Sequence, residues 1–119
     1  MIYGIGVDIC SIFRNKKAIE SKYFRDRIFA PEEISYSESK GVTKRADSYA
    51  ACFAAREAFC KASGINLMSV MNGESFAVIH DSQGRPSIRL GEKFEFPYKI
   101  FLSLSHEKDL ACAMVVIEN

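Results

Sequence analysis

The sequence predicts an α+β fold: a mainly antiparallel sheet packed against one long central helix, in a single domain over residues 1–119. Three observations lead there. The opening residues MIYGIGVDIC alternate with the period of a strand. The central stretch from Ser48 to Gly64 is apolar almost all round, as befits a helix in the middle of a protein. Most of the second half is short alternating segments separated by turn residues.

Each element has its own local chemistry. In the first strand Tyr3, Ile5, Val7 and Ile9 share one face, while Ile2, Gly4, Gly6 and Asp8 share the other. Ser11 is placed to cap an amphipathic helix of about three turns, with Ile12, Phe13 and Ile19 as its apolar contacts. Pro31, Glu32 and Glu33 form a helix start, and Gly41 ends that short helix. Asp47 or Ser48 is expected to cap the long helix, with Gly64 as its left-handed C-cap. Phe76 to His80 is a strand, residues 81–86 a turn, and Ser87 to Leu90 the return. Lys99 to Ser105 alternates again, His106 to Asp109 turns, and Leu110 to Ile117 closes the chain as a strongly apolar strand. The apolar residues of these strands, such as Ile5, Val7, Leu104 and Val115, exceed what a thin domain needs to bury internally.

Composition narrows the function. About half of the 119 residues are hydrophobic, enough for a modest core, and no apolar run is long enough to span a bilayer. With no charged-then-apolar leader either, a cytoplasmic address and no membrane partner are expected. The four cysteines (Cys10, Cys52, Cys60, Cys112) form no CxxC pair and read as reduced core hydrophobes. A net charge of +1 hides a basic run: Arg14, Lys16, Lys17, Lys22, Arg25 and Arg27, followed by Lys40, Lys44 and Arg45. Such a cluster suits an acidic partner, whether protein, phosphorylated ligand or nucleic acid.

The candidate chemistry starts with charges in the apolar helix. Glu57 and Lys61 are four residues apart, on one face and one turn from each other, with Phe53 and Ala50 continuing the stripe. Asp8 lies on a strand face otherwise made of Gly4 and Gly6. Glycine is costly in a strand unless a backbone or ligand needs the space. Two carboxylates with few other donors suit Mg2+, which is usually held by one or two acids with water and substrate phosphate completing its shell. Nothing offers a zinc spacing. Ser103, Ser105 and His106 form a third element, hydroxyls and an imidazole at a strand end within reach of a ligand.

Together these pieces resemble the holo-[acyl-carrier-protein] synthases, the small bacterial type of 4'-phosphopantetheinyl transferase. The family pattern is G-x-D, then F-x-x-[KR]-E-A-x-x-K-A-x-G, then S-x-S-H. It is matched by Gly6-Val7-Asp8, by Phe53 to Gly64 and by Ser103 to His106, and the Phe29 to Glu33 segment looks like the family too. The resemblance implies transfer of phosphopantetheine from coenzyme A to a serine of apo acyl-carrier protein, in support of fatty acid biosynthesis. It implies catalytic roles for Asp8, Glu57 and Lys61, with Asp8 and Glu57 holding Mg2+ on the coenzyme A diphosphate. Substrate contacts are implied at Arg14, Lys44, Arg45, Ser105 and His106. Basic residues of the first helix, Arg14 among them, would dock the acidic carrier. A homotrimer with active sites at subunit boundaries is implied as well. Glu57, a metal-bound water and His106 all stand as acceptors of the serine proton.

The chain departs from the family in places. Ala51-Cys52 replaces a common Gly-Arg, Arg56 stands where lysine is commoner, and Gly91 to Pro97 is less helical than its usual counterpart. Two other functions compete on residues alone. A Mg2+-dependent phosphodiesterase could use the same acids, but the further acids of a two-metal site are missing. A nucleic-acid-binding module would use residues 14–45, but no aromatic-plus-basic stacking motif supports it, and it gives Asp8 and Glu57 no task. No nucleic-acid partner is therefore expected.

Overall fold

A computed structural model describes residues 1–119. The chain order is β1 (Ile2–Ser11), α1 (Ile12–Ala18), α2 (Lys22–Ile28), α3 (Pro31–Glu38), α4 (Arg45–Ser63), a 3-10 turn (Leu67–Val70), β2 (Phe76–His80), β3 (Pro86–Leu90), β4 (Lys99–Glu107) and β5 (Leu110–Glu118). The strands form two antiparallel units, a three-stranded sheet in the order β1-β5-β4 and a β2-β3 hairpin. Helix α4 lies across the sheet as its main cover. No helix is long and apolar enough to cross a membrane.

The contact between α4 and the sheet explains the glycines. Register places Gly4, Gly6 and Asp8 of β1 beside Ile117, Val115 and Ala113 of β5, and these beside Ile100, Leu102 and Leu104 of β4. That face looks inward. A Cβ on Gly6 would sit 2.0 Å from the Ala58 carbonyl oxygen, and one on Gly4 would sit 1.9 Å from that of Ala62. Alanines 50, 54, 55, 58 and 62 line the buried side of α4, so helix and strand meet almost backbone to backbone. The space left by the strand glycines is thus taken by α4. The same close approach sets Glu57 and Lys61 beside Asp8.

The opposite sheet face is apolar and uncovered. Ile5 is 64 % exposed, Val7 54 %, Ile9 62 %, Phe101 52 % and Met114 48 %. Of the residues expected to exceed the needs of the core, Ile5 and Val7 do face outward, Leu104 is half-buried, and Val115 is fully buried.

Several boundaries differ from expectation, each for a local reason. The first helical region breaks in two because Ser21 accepts a hydrogen bond from the Phe24 N–H and starts α2 afresh. Ile12 and Ile19 are buried, but Phe13 is 72 % exposed and contributes no core contact. Helix α4 begins at Arg45, earlier than Asp47 or Ser48, and Lys44 caps it without a side-chain bond. Asp47 instead supplies first-turn negative charge, and Ser48 pairs with Ser37 at 2.7 Å. Gly64 ends the helix with φ +80, as expected. Strand β4 runs on through His106 to Glu107, leaving a turn of Lys108 and Asp109 alone. Residues 91–98 form no helix. Their aromatic rings cover the core edge instead, Phe96 against Phe59 at 5.6 Å and Tyr98 stacked on Tyr3 at 4.5 Å.

Candidate active site

Asp8 projects from the inner face of β1 beneath α4, with its side chain only 10 % exposed. Its Oδ1 lies 3.3 Å from Lys61 Nζ, which also donates to the Val7 carbonyl at 2.9 Å. Its Oδ2 is buried and has no hydrogen-bond partner. Burial raises the Glu57 carboxyl above the ordinary carboxylate range, and a hydrogen bond to Asp8 and the Asp8 charge push it further. Two acids crowd together here, one with a buried oxygen left unpaired, and one exposed ammonium does not satisfy both. No third His, Cys, Asp or Glu joins them. An oxygen-seeking divalent cation that takes its remaining ligands from water and phosphate fits this donor set.

Next to the acids, Arg14 and Asn15 of α1, Phe53 and Glu57 of α4, and Leu110 of β5 line a cavity of about 480 Å³. Cys10 borders it. Burial, then the charges of Asp8 and Glu57, push its thiol up to about 11, so it stays protonated near neutral pH and is no nucleophile.

A second cavity, about 400 Å³, opens at the other end of α4. Lys44, Asp47, Ser105 and His106 line it, with Tyr36 and His80 opposite. His106 Nδ1 is 3.8 Å from Asp47 Oδ2. The two linings meet on α4, where Cys52 borders this cavity and Phe53 the other, but Asp47 and Glu57 are ten residues apart on that helix, about 15 Å of rise.

The structure therefore sorts the sequence candidates. Asp8, Glu57 and Lys61 come together, and Arg14 shares a cavity with Glu57. Lys44, Ser105 and His106 form the second group. Arg45 turns away from that cavity to pair with Glu38 at 3.1 Å. Arg25, in the basic run, is 17 % exposed and bonds the Ile19 carbonyl at 2.6 Å, which makes it a tie between helices rather than a free charge. Lys22 is engaged by Asp26 at 2.6 Å, although both remain exposed.

Sequence reasoning missed two features. His80 stacks flat on Tyr36, 3.7 Å between ring centres, with Lys40 Nζ also over the Tyr36 ring at 4.4 Å. Burial, then Lys40, lowers the His80 pKa below the ordinary value, which keeps the ring neutral. The second is Arg56, wholly buried beside Glu57 on the helix but pointing into the core. It donates to both Glu33 oxygens, at 2.6 and 2.8 Å, and to the carbonyls of Ile28, Cys52, Val70 and Phe76. The signals in sequence were slight: Glu33 as a capping-box acid, and a lone arginine among alanines.

Known proteins bear on this arrangement. A sequence model of the 4'-phosphopantetheinyl transferase superfamily matches residues 4–115. A holo-[acyl-carrier-protein] synthase of Geobacter sp. (strain M21) is 40% identical over 127 aligned positions, covering 100% of both chains. One from Clostridium tetani is 41% identical, covering 100% of this chain and 98% of its own. Among solved structures, a holo-(acyl-carrier-protein) synthase from Bacillus anthracis in complex with CoA (3',5'-ADP) superposes with TM-score 0.84 at 30% identity, covering 100% of this chain and 98% of that one. The synthase from Neisseria meningitidis gives TM-score 0.77 at 34% identity, with both chains fully covered.

Proposed function

The chain belongs to the 4'-phosphopantetheinyl transferase superfamily, among the holo-[acyl-carrier-protein] synthases, and on that premise we propose how its residues divide the work. It transfers the 4'-phosphopantetheine moiety of coenzyme A to a serine of apo acyl-carrier protein, releasing adenosine 3',5'-bisphosphate. We read residues 1–119 as one transferase domain and place the reaction in the cytoplasm, serving fatty acid biosynthesis.

One observation carries the site assignment: Asp8 Oδ2 is buried without a hydrogen-bond partner, and Asp8 lies close enough to Glu57 to raise its carboxyl. In our reading Asp8 and Glu57 hold Mg2+, which when bound would neutralise charge on the coenzyme A diphosphate. Lys61, anchored by the Val7 carbonyl one helical turn from Glu57, adds a positive charge for a phosphate oxygen. Arg14, across the same cavity, brings the serine of the carrier toward the acids. Phosphoryl transfer needs little covalent help from protein, so holding the two reactants in line and screening their charge is the main task.

Lys44, Ser105 and His106 take the adenosine end. Coenzyme A carries its 3'-phosphate on the same ribose as its diphosphate, a few bonds away. Within one chain Asp47, beside His106, and Glu57 lie about 15 Å apart along α4, poorly spaced for that ligand. A neighbouring chain solves the spacing by presenting its own Lys44 and His106 to these acids. The uncovered apolar face of β1, β5 and β4 supplies a surface for such assembly, so we read the active form as a homotrimer with sites at subunit boundaries.

The test is to incubate the protein with coenzyme A, Mg2+ and apo carrier protein and to weigh the carrier. A gain of one phosphopantetheinyl group, dependent on Asp8 and Glu57, is expected. A carrier of unchanged mass would overturn the assignment.

A further inference from the structure

Helix α1 is short, seven residues, and its first turn contains no acid of its own. A helix of this length does not stand alone in water, so its direction is set by what it is tied to. The tie is the turn between β4 and β5. The Ile12 N–H donates to the Asp109 carbonyl at 2.8 Å. The Phe13 N–H donates to Asp109 Oδ1 at 2.7 Å, and the Ser11 hydroxyl donates to Asp109 Oδ2 at 2.8 Å. The same hydroxyl accepts from the Arg14 N–H at 3.2 Å. The first three amide groups of the helix thus depend on Asp109, two directly and one through Ser11.

The turn is built for this. Glu107 pairs with Leu110, leaving a two-residue connection, and Lys108 has φ +54, a left-handed backbone that few residues other than glycine adopt. The result aims the Asp109 carboxylate back along the sheet at the helix start, where negative charge is favoured. Arg14, the third residue of that helix, shares its cavity with Glu57.

We propose that Asp109 is a positioning residue for the carrier substrate: it acts through the start of α1 to hold Arg14 at the active-site cavity. This rests on the reading of Arg14 as a carrier contact. It assigns a function in substrate capture to a residue outside both cavities and far in sequence from the helix it controls.

The experiment is a double-substitution cycle on the full-length enzyme, with steady-state kinetics in apo carrier protein and in coenzyme A separately. Asp109→Ala should raise the Michaelis constant for the carrier about fivefold, the size expected from losing a helix cap. The constant for coenzyme A should move less than about twofold on the same reasoning. Asp109→Asn, whose amide oxygen still accepts from the Phe13 N–H, should recover most of the loss. In an Arg14→Ala background the Asp109→Ala change should add little. If Arg14→Ala raises the carrier constant but the two effects add in full, or if Asp109→Ala weakens both substrates equally, Asp109 is not acting through Arg14 and the proposal fails. If Arg14→Ala itself leaves the carrier constant unchanged, the underlying reading of Arg14 is what fails, and the proposal falls with it. Circular dichroism and light scattering on each variant separate these outcomes from loss of fold or assembly.

Discussion

The Arg56 guanidinium grips the Glu33 carboxylate with contacts of 2.6 and 2.8 Å, and both side chains are wholly inaccessible to solvent. Glu33 also accepts from the Ala30 N–H at 2.8 Å and the Val78 N–H at 3.1 Å. Phe29 and Phe76 lie within 5.2 and 4.8 Å of the Arg56 guanidinium carbon. One ion pair therefore joins α3, α4, β2 and the 3-10 turn at Val70. Breaking it leaves a buried charge with no partner, which costs about 3–5 kcal/mol. Glu33→Ala and Arg56→Ala are each expected to lower unfolding free energy by that amount in a urea titration. Arg56→Lys keeps the charge but loses the planar fork, and should also be destabilised. A loss below about 1 kcal/mol, the range of an exposed pair, would refute the structural role.

Gly6 lets α4 sit close enough to β1 for Glu57 to meet Asp8. An alanine there would drive its Cβ into the Ala58 carbonyl, which is backbone and cannot swing aside. Gly6→Ala should destabilise by about 1–3 kcal/mol, typical of overpacking. It should also lower activity more than the stability loss explains, because the acids would be forced apart. Kinetics measured well below the unfolding midpoint would show the second effect, and full activity there would remove it.

The paired acids make a prediction readable without turnover. Mg2+ binding to the folded form should raise the unfolding temperature, increasingly with the logarithm of its concentration. Asp8→Asn and Glu57→Gln should each abolish most of that shift and most activity while remaining folded. Removing one of two crowded negative charges should leave the metal-free variants at least as stable as the parent. A wild-type magnesium response in either variant would separate that residue from the cation.

How much of this could be read from sequence depends on how local each cause is. The alternation of Tyr3, Ile5, Val7 and Ile9 against Gly4, Gly6 and Asp8 marked two faces of a strand, but alternation does not say which face is inside. The apolar face ordinarily packs inward. Here the alanines of α4 demand the closer approach that only the glycines allow, and the apolar face is left outside. Asp8, Glu57 and Lys61 were legible because a strand period and a helix period each fix them to one face. Arg56 was not. Its partner is 23 residues away in sequence, and only tertiary packing brings the two together. That Glu38 engages both Arg45 and Arg25 of the basic run from another helix was hidden for the same reason.

Glu38 links acidity to stability. The Tyr49 hydroxyl donates to it at 2.6 Å, and this bond, with support from Arg45 and Arg25, holds the carboxyl below its usual value of 4.5. A depressed carboxyl contributes stability above its unfolded value and loses it as pH falls through the folded one. Glu38→Gln should therefore be less stable than the parent at neutral pH, with the gap narrowing below about pH 4.5. A gap that stays constant across this range in pH-dependent thermal melts would mean the charge contributes nothing.

The outward face of the sheet gives the most demanding test of assembly. Ile5, Val116 and Phe101 lie side by side across β1, β5 and β4. Ile5 and Phe101 are more than half exposed, so a charge at either costs the isolated chain little. In a trimer that buries them, each would be worth about 1.5–3 kcal/mol, and a charge would oppose association directly. Ile5→Glu and Phe101→Glu are expected to give folded monomers by light scattering, inactive because the acids of one chain lack the basic cavity of the next. Complementation makes the sharing explicit. Glu57→Gln disables the acid half, and His106→Ala the adenosine half. If each site is built within one chain, mixing and reassembling the two variants restores nothing. If the site spans two chains, a fraction of boundaries in the mixed trimers pairs an intact acid half with an intact basic half, and activity returns. An active monomer, or mixed trimers with no recovered activity, would return both cavities to a single chain.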